Sequence, residues 1–352
     1  MNLLLSVFLL AAASPVTVRV SPQPTYVEAD TRGQSLNVDL IVHNGASEVV
    51  DLDEVKVSVF DSAGKLVVRR FIDGNGTRPS IRTADVGEIA AGADAMLFNP
   101  FATFDADVDL HTVRFDLSLS SKDGSHTYTS SAEVEPRVYA QRAKLVLPIA
   151  SRMIVYDGHD LVAHHRRWDY ALPPIQALGF KTNFMRYSYD FVPVDDNGDM
   201  ANGAEEKNEN WFGFGKPVRA VADGEIVAVK DDQPDDRTFD PSTIAKDGPM
   251  KIWGNYVVVK HADGEYSLFG HIHQGSSRVK VGQRVKRGEP LASIGAAGSS
   301  KFPHLHYELQ TTSDVSGEGL PSQFENFDRV RGAKRLHVTR GYVNSGEIIE
   351  SR

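Results

Sequence analysis

The sequence predicts an all-β protein in two parts, an N-terminal immunoglobulin-like β-sandwich followed by a domain built on a mostly antiparallel sheet. Three observations point there. Apolar residues recur with a period of two, turn signals separate short runs of this kind, and helical periodicity is sparse in both halves. Leu36, Val38, Leu40 and Val42 alternate with other residues, as do Val55, Val57 and Val59, and then Val113, Phe115, Leu117 and Leu119. Between such runs lie turn clusters such as Ser62-Ala63-Gly64-Lys65 and Lys122-Asp123-Gly124-Ser125. Short alternating strands repeated over about a hundred residues are the pattern of a sandwich.

The expected organisation runs from a signal peptide at 1–13 through a sandwich at 17–135 and a linker at 136–143. A second domain at 144–330 and a C-terminal extension at 331–352 follow. Leu3 to Ala13 is a short apolar stretch closing on Ala11, Ala12 and Ala13, which reads as a secretory signal cleaved near Ala13 and a secreted or periplasmic mature protein. A modest anchor or an N-terminal core strand is the alternative. No other run approaches the roughly 20 apolar residues of a membrane span. In the second half two hairpins are expected: Pro217–Ala222 with Glu225–Lys230 around Asp223-Gly224, and Tyr256–His261 with Tyr266–His271 around residues 262–265.

A hydrophobic fraction of 41% and a charged fraction of 24% belong to a folded globular chain, not a disordered one. The net charge is -9, with 47 acidic residues against 38 basic and no long basic run, which argues against nucleic acid as a partner. There is no cysteine, so disulfides, thiolate metal sites and thiol nucleophiles are excluded. Any metal must sit on imidazole and carboxylate.

Nine of the twelve histidines fall between His159 and His337, in the second half. The most informative run is Pro303-His304-Leu305-His306-Tyr307-Glu308-Leu309. On a strand, His304, His306 and Glu308 share one face and Leu305, Tyr307 and Leu309 the other, leaving the imidazoles roughly 7 Å apart along the backbone. One ring can then bind a metal while its neighbour faces a reacting group. Ordinary cross-strand packing explains an isolated pair equally well.

Further segments follow in order: Gly215-Lys216-Pro217-Val218-Arg219-Ala220-Val221-Ala222-Asp223-Gly224, then Gly254 to His261, Tyr266 to His271, Val279 to Glu289, Ile294-Gly295 and Pro303 to Glu308. Together they resemble the lysostaphin-type (LytM-like) zinc metalloendopeptidases over about Phe184 to Leu309. The resemblance implies that Asp190 and His306 bind Zn2+, that His271 and His304 are catalytic, and that the reaction is hydrolysis of peptide bonds, typically in peptidoglycan cross-links. It also implies a departure. Where the family's HxxxD motif has its first metal-binding histidine, four residues before Asp190, this chain has Arg186, which resembles an atypical branch lacking that ligand. A guanidinium stays protonated and is no zinc ligand.

Asp157-Gly158-His159-Asp160-Leu161-Val162-Ala163-His164-His165-Arg166-Arg167 concentrates three imidazoles shortly upstream. One reading is that His159, His164 or His165 folds over the sheet to supply the missing ligand or to plug the site; the other is a structural loop whose His and Arg pair with Asp157, Asp160 or Asp169. Asn183 is a further candidate ligand, weak because it is a neutral amide. Arg186 favours one alternative function, a degenerate domain that binds cell-wall material or regulates another hydrolase; a separate alternative is carbohydrate or surface adhesion with the sandwich as the recognising part. His261, His273 and the acidic run Asp231 to Asp236 read as surface features.

Overall fold

A computed structural model describes residues 14–262 and 264–352. Strands make up 42% and helices 7%, with antiparallel pairing dominant, so the expected all-β class holds. Among the described residues no helix is long and apolar enough to cross a membrane. The expected signal peptide at 1–13 lies outside the described residues.

The chain divides into two compact units. The first is formed by Val38–Phe101 and Val108–Pro136 with the described residues up to Gln23. It holds a three-stranded antiparallel sheet (Val16–Ser21, Asp39–Asn44, Asp94–Phe98) and a four-stranded one (in order Thr127–Val134, Thr112–Ser121, Val50–Phe60, Leu66–Asp73). The period of two read from the sequence sets the register: Val55, Val57 and Val59 stand opposite Leu117, Phe115 and Val113, and all six are buried.

The second unit comprises Pro24–Asn37, Ala102–Asp107 and Arg137–Arg352. Segments 24–37 and 102–107, which the sequence reading includes in the sandwich, belong to this unit; they form the strands Tyr26–Asp30, Gly33–Leu36 and Thr103–Phe104, joined by Arg137–Val138. Among the described residues its main sheet has ten strands. The central strands run Tyr256–Ala262, Glu265–Gly270, Leu305–Gln310, Tyr189–Pro193 and Arg152–Asp157, each antiparallel to the next. The residues read as a C-terminal extension supply two more strands of this sheet, Lys334–Gly341 and Ile348–Ser351.

The hairpin expected at Tyr256–His261 and Tyr266–His271 is present. The one expected around Asp223-Gly224 is not. Pro217–Arg219 pairs with Pro290–Ser293, while Gly224–Lys230 pairs with Tyr256–Ala262. Ala220 donates its N–H to Glu289 (2.8 Å) and Val146 donates to Val221 (2.9 Å), so the stretch meant as one arm of the hairpin has its backbone groups committed elsewhere.

Two alternations fix the site. Tyr189 and Phe191, and likewise Leu305, Tyr307 and Leu309, point into one apolar core and are fully buried. Their strands pair with Asp190 opposite His306. The intervening side chains therefore stand together on the other face of the sheet.

Candidate metal centre

Asp190 is the hub. Its Oδ1 lies 3.0 Å from His306 Nδ1, 3.3 Å from His165 Nε2 and 3.4 Å from His304 Nε2. All four residues are buried. Burial alone would raise the Asp190 carboxyl, yet the rings of His165 and His304 beside it hold it well below the ordinary carboxylate range. It is an anion at neutral pH.

His306 is locked from both sides. Nδ1 meets Asp190, and Nε2 faces Glu308 Oε2 at 3.4 Å, which in turn accepts from Ser188 Oγ at 3.0 Å. Burial works against its imidazolium, but the hydrogen bonds to Asp190 and Glu308 prevail and push its pKa up to about 9. Opposite His306 on the neighbouring strand is Gly270, where an added Cβ would lie 3.1 Å from Trp253 and 3.3 Å from His306. That absence of a side chain lets the Trp253 ring lie 4.1 Å from the His306 ring, centroid to centroid.

The other imidazoles are held the opposite way round. His304 Nδ1 donates to the Phe302 carbonyl (2.8 Å), His271 Nδ1 to the Ala297 carbonyl (2.7 Å) and His165 Nδ1 to the Gly158 carbonyl (3.2 Å). A carbonyl can only accept, so each ring carries a proton on Nδ1, which leaves Nε2 as the nitrogen that faces the centre. His271 has a positive φ of 59° at the end of its strand, a strained conformation that places its ring 4.8 Å from that of His304. Burial and the neighbouring His304 and His306 push its pKa well down, so it is neutral.

The loop after Asp157 separates the candidate histidines. His165 is buried with its ring edge-on to His306, centroids 4.8 Å apart. Asp157, His164, His165 and Asp190 bring four ligand atoms within 4.8 Å of one another. His164, two-thirds exposed, pairs through Nδ1 with Asp157. His159 turns elsewhere: its Nδ1 lies 3.0 Å from Glu28 and 3.2 Å from Asn37. Asn183 is committed to the loop through its amide nitrogen, which donates to the carbonyls of His165 (3.1 Å) and Arg166 (3.2 Å), while its Oδ1 is buried without a hydrogen-bond partner among the described residues. Arg186, four residues before Asp190, is fully buried; its Nε donates to Glu318 at 2.6 Å and its Nη1 to the Asn37 carbonyl at 3.4 Å.

The centre opens into a cleft of 520 Å³ whose walls include Tyr156, Trp168, Trp253, Lys301 and Phe302. The donor set, buried imidazole and carboxylate without thiol, suits a zinc ion. The contributions of Glu308, Glu28 and Asn37 are additions to the sequence reading. Glu308 had a signal, sharing the face of His304 and His306; Glu28 and Asn37 had none.

Comparison with known proteins finds a family match over part of this site. Residues 212–317 match Peptidase family M23. Among curated proteins, the cell division protein DipM of Caulobacter vibrioides is 36% identical over 107 residues, 30% of this chain and 14% of that protein. The murein hydrolase activator EnvC of Escherichia coli is 30% identical over 96 residues, 27% of this chain and 18% of that protein. The glycyl-glycine endopeptidase ALE-1 of Staphylococcus capitis is 29% identical over 132 residues, 36% of this chain and 29% of that protein. The chain thus spans less than a third of the length of each of these relatives. His271, His304 and His306 fall within the family match, whereas Asp190 and the histidine-bearing loop precede it. Over residues 212–317, this chain is similar to Peptidase family M23.

Proposed function

We propose that the chain is a zinc-dependent endopeptidase of the bacterial cell envelope that hydrolyses peptide bonds in peptidoglycan cross-links. The observation that carries this reading is the opposed orientation of the imidazoles. His306 turns Nδ1 toward Asp190, while His271 and His304 have Nδ1 tied to backbone carbonyls, which leaves Nε2 for the same cleft. Packing alone asks for no such arrangement of three imidazoles around one carboxylate.

In this reading Asp190 and His306 hold the ion. When bound, zinc supplies a Lewis acid that polarises a carbonyl and acidifies water. His304 and His271 provide the proton acceptors. One Nε2 takes the proton of the attacking water, and the resulting imidazolium returns it to the departing amine as the C–N bond breaks. The carbonyls of Phe302 and Ala297 keep each ring in the tautomer that can do this. The aromatic walls provide a groove for an extended peptide and exclude water. Envelope export rests on the signal-like residues 1–13.

A second reading has one specific observation in its favour. Arg186 removes the usual third ligand, and one relative is by name an activator of murein hydrolases, so the groove would bind wall peptide and regulate another enzyme without cutting.

The test is incubation of the purified, zinc-supplemented protein with isolated peptidoglycan, reading new amino termini and released cross-linked fragments. Cleavage is expected, with His304→Ala lowering the rate by about 10²–10⁴-fold. Absence of cleavage with retained peptidoglycan binding would overturn the enzyme reading in favour of the second.

A further inference from the structure

The geometry points to His165, on the loop upstream of the family match, as the third metal ligand, replacing the histidine that Arg186 displaces. This inference rests on the zinc reading above and concerns which side chain completes the site. Four observations support it.

First, the usual position is closed. Arg186 is buried in an ion pair with Glu318 and bonded to the Asn37 carbonyl, so it is fixed by partners that are not part of the centre. Second, the separations fit. Zinc bonds of about 2.0–2.1 Å in a tetrahedral site put donor atoms roughly 3.3 Å apart. His165 Nε2 is 3.3 Å and His306 Nδ1 3.0 Å from the same oxygen, Oδ1 of Asp190.

Third, the ring is turned the right way. With Nδ1 donating to Gly158, Nε2 is the nitrogen directed at Asp190 and the one a metal would take in place of a proton.

Fourth, the loop is built to hold the ring in place. Asn183 grips the carbonyls of His165 and Arg166 from one side. Asp157 accepts from the His164 backbone N–H at 3.1 Å. Gly158 donates to Ser345 Oγ at 2.9 Å, and a Cβ at Gly158 would sit at that same 2.9 Å from the hydroxyl. His159, pinned to Glu28 and Asn37, anchors the opposite side of the turn. A loop kept only for solvent exposure would not bury His159, His165 and Arg166.

His304 Nε2 is nearly as close to Asp190 as His165 Nε2 is, so the experiment must separate the two. Metal-free wild type, His165→Ala, His165→Cys, His304→Ala and His306→Ala are titrated with zinc against a chromophoric chelator. Thermal unfolding of the metal-free forms checks that each is folded. His165→Ala is expected to weaken zinc by more than the 10–100-fold typical of losing an outer hydrogen bond to a ligand. His165→Cys, which restores a donor atom, should recover much of it, and His304→Ala should stay within about 10-fold of wild type. Wild-type affinity in folded His165→Ala, with affinity lost in His306→Ala, would overturn the assignment while leaving the zinc reading standing. No zinc uptake by folded wild type would overturn the zinc reading itself, and this assignment with it. Should His165→Ala not fold, the Cys variant decides: a folded Cys variant with no measurable affinity for zinc overturns the assignment.

Discussion

His306 makes the stability of the metal-free protein depend on pH in a calculable way. Its pKa rises from an ordinary 6.5 to about 9 in the fold, because Asp190 and Glu308 favour its proton more than burial opposes it. At 1.36 kcal/mol per tenfold change, that difference is worth roughly 3 kcal/mol of folding free energy. The sign follows from which state binds the proton more tightly. Below pH 6.5 the folded and unfolded forms both carry it and the contribution is full; above, the unfolded chain loses it first, and the contribution fades as pH rises through about 9. His159 and His164 also have raised pKa values, so the wild-type curve alone mixes several groups. The difference between wild type and His306→Gln isolates one. Urea unfolding in the presence of a chelator, at steps from pH 6 to 10, gives the curves. All three tryptophans, Trp168, Trp211 and Trp253, lie in the second unit, so their fluorescence reports the unit that holds the site. The advantage of wild type over the variant should shrink by about 3 kcal/mol between pH 6.5 and 9.5. Parallel curves, or an advantage that grows with pH, would refute the reasoning.

Other perturbations have equally definite outcomes. Because zinc must displace the proton on His306, binding at pH 7.5 should release about one proton and binding above pH 9.5 almost none, read by calorimetry in buffers of different ionisation enthalpy. Glu308→Gln keeps the shape of the side chain but removes the charge facing His306 Nε2, and should weaken zinc about 10–100-fold in a chelator competition. Asn183→Ala removes the donor to two buried carbonyls of the histidine loop; a loss of about 2–6 kcal/mol in urea unfolding is expected, at roughly 1–3 kcal/mol for each unsatisfied group. Gly270→Ala would press a methyl against Trp253 and His306, and its cost of about 1–3 kcal/mol should come with a changed Trp253 emission.

How much of this was legible in the sequence varies from residue to residue. The strand around His304 and His306 was readable because a period of two assigns faces without reference to the rest of the fold, and the same holds for Val113 to Leu119 in the first unit. Asp190 became a candidate only through resemblance; nothing in its local spacing announces a partner 116 residues away. The histidine loop was visible as a concentration of imidazoles, but a turn-rich segment has no period from which to tell that His165 faces Asp190 while His159 faces Glu28. Glu28 and Asn37 were invisible as site residues, since their role depends on a segment between strands of the first unit folding with the second. The misread hairpin at Asp223-Gly224 shows the limit of turn chemistry: a favourable turn pair does not decide pairing when the preceding strand finds Pro290–Ser293 instead.

X-ray absorption at the zinc edge, on the zinc-loaded wild type beside His165→Ala, reads the coordination shell itself. The wild type should show a shell of nitrogen and oxygen donors at about 2.0–2.1 Å with outer scattering from two imidazoles, and His165→Ala from one. A single imidazole in the wild type, or an unchanged count in the variant, would contradict a centre built from Asp190, His306 and His165.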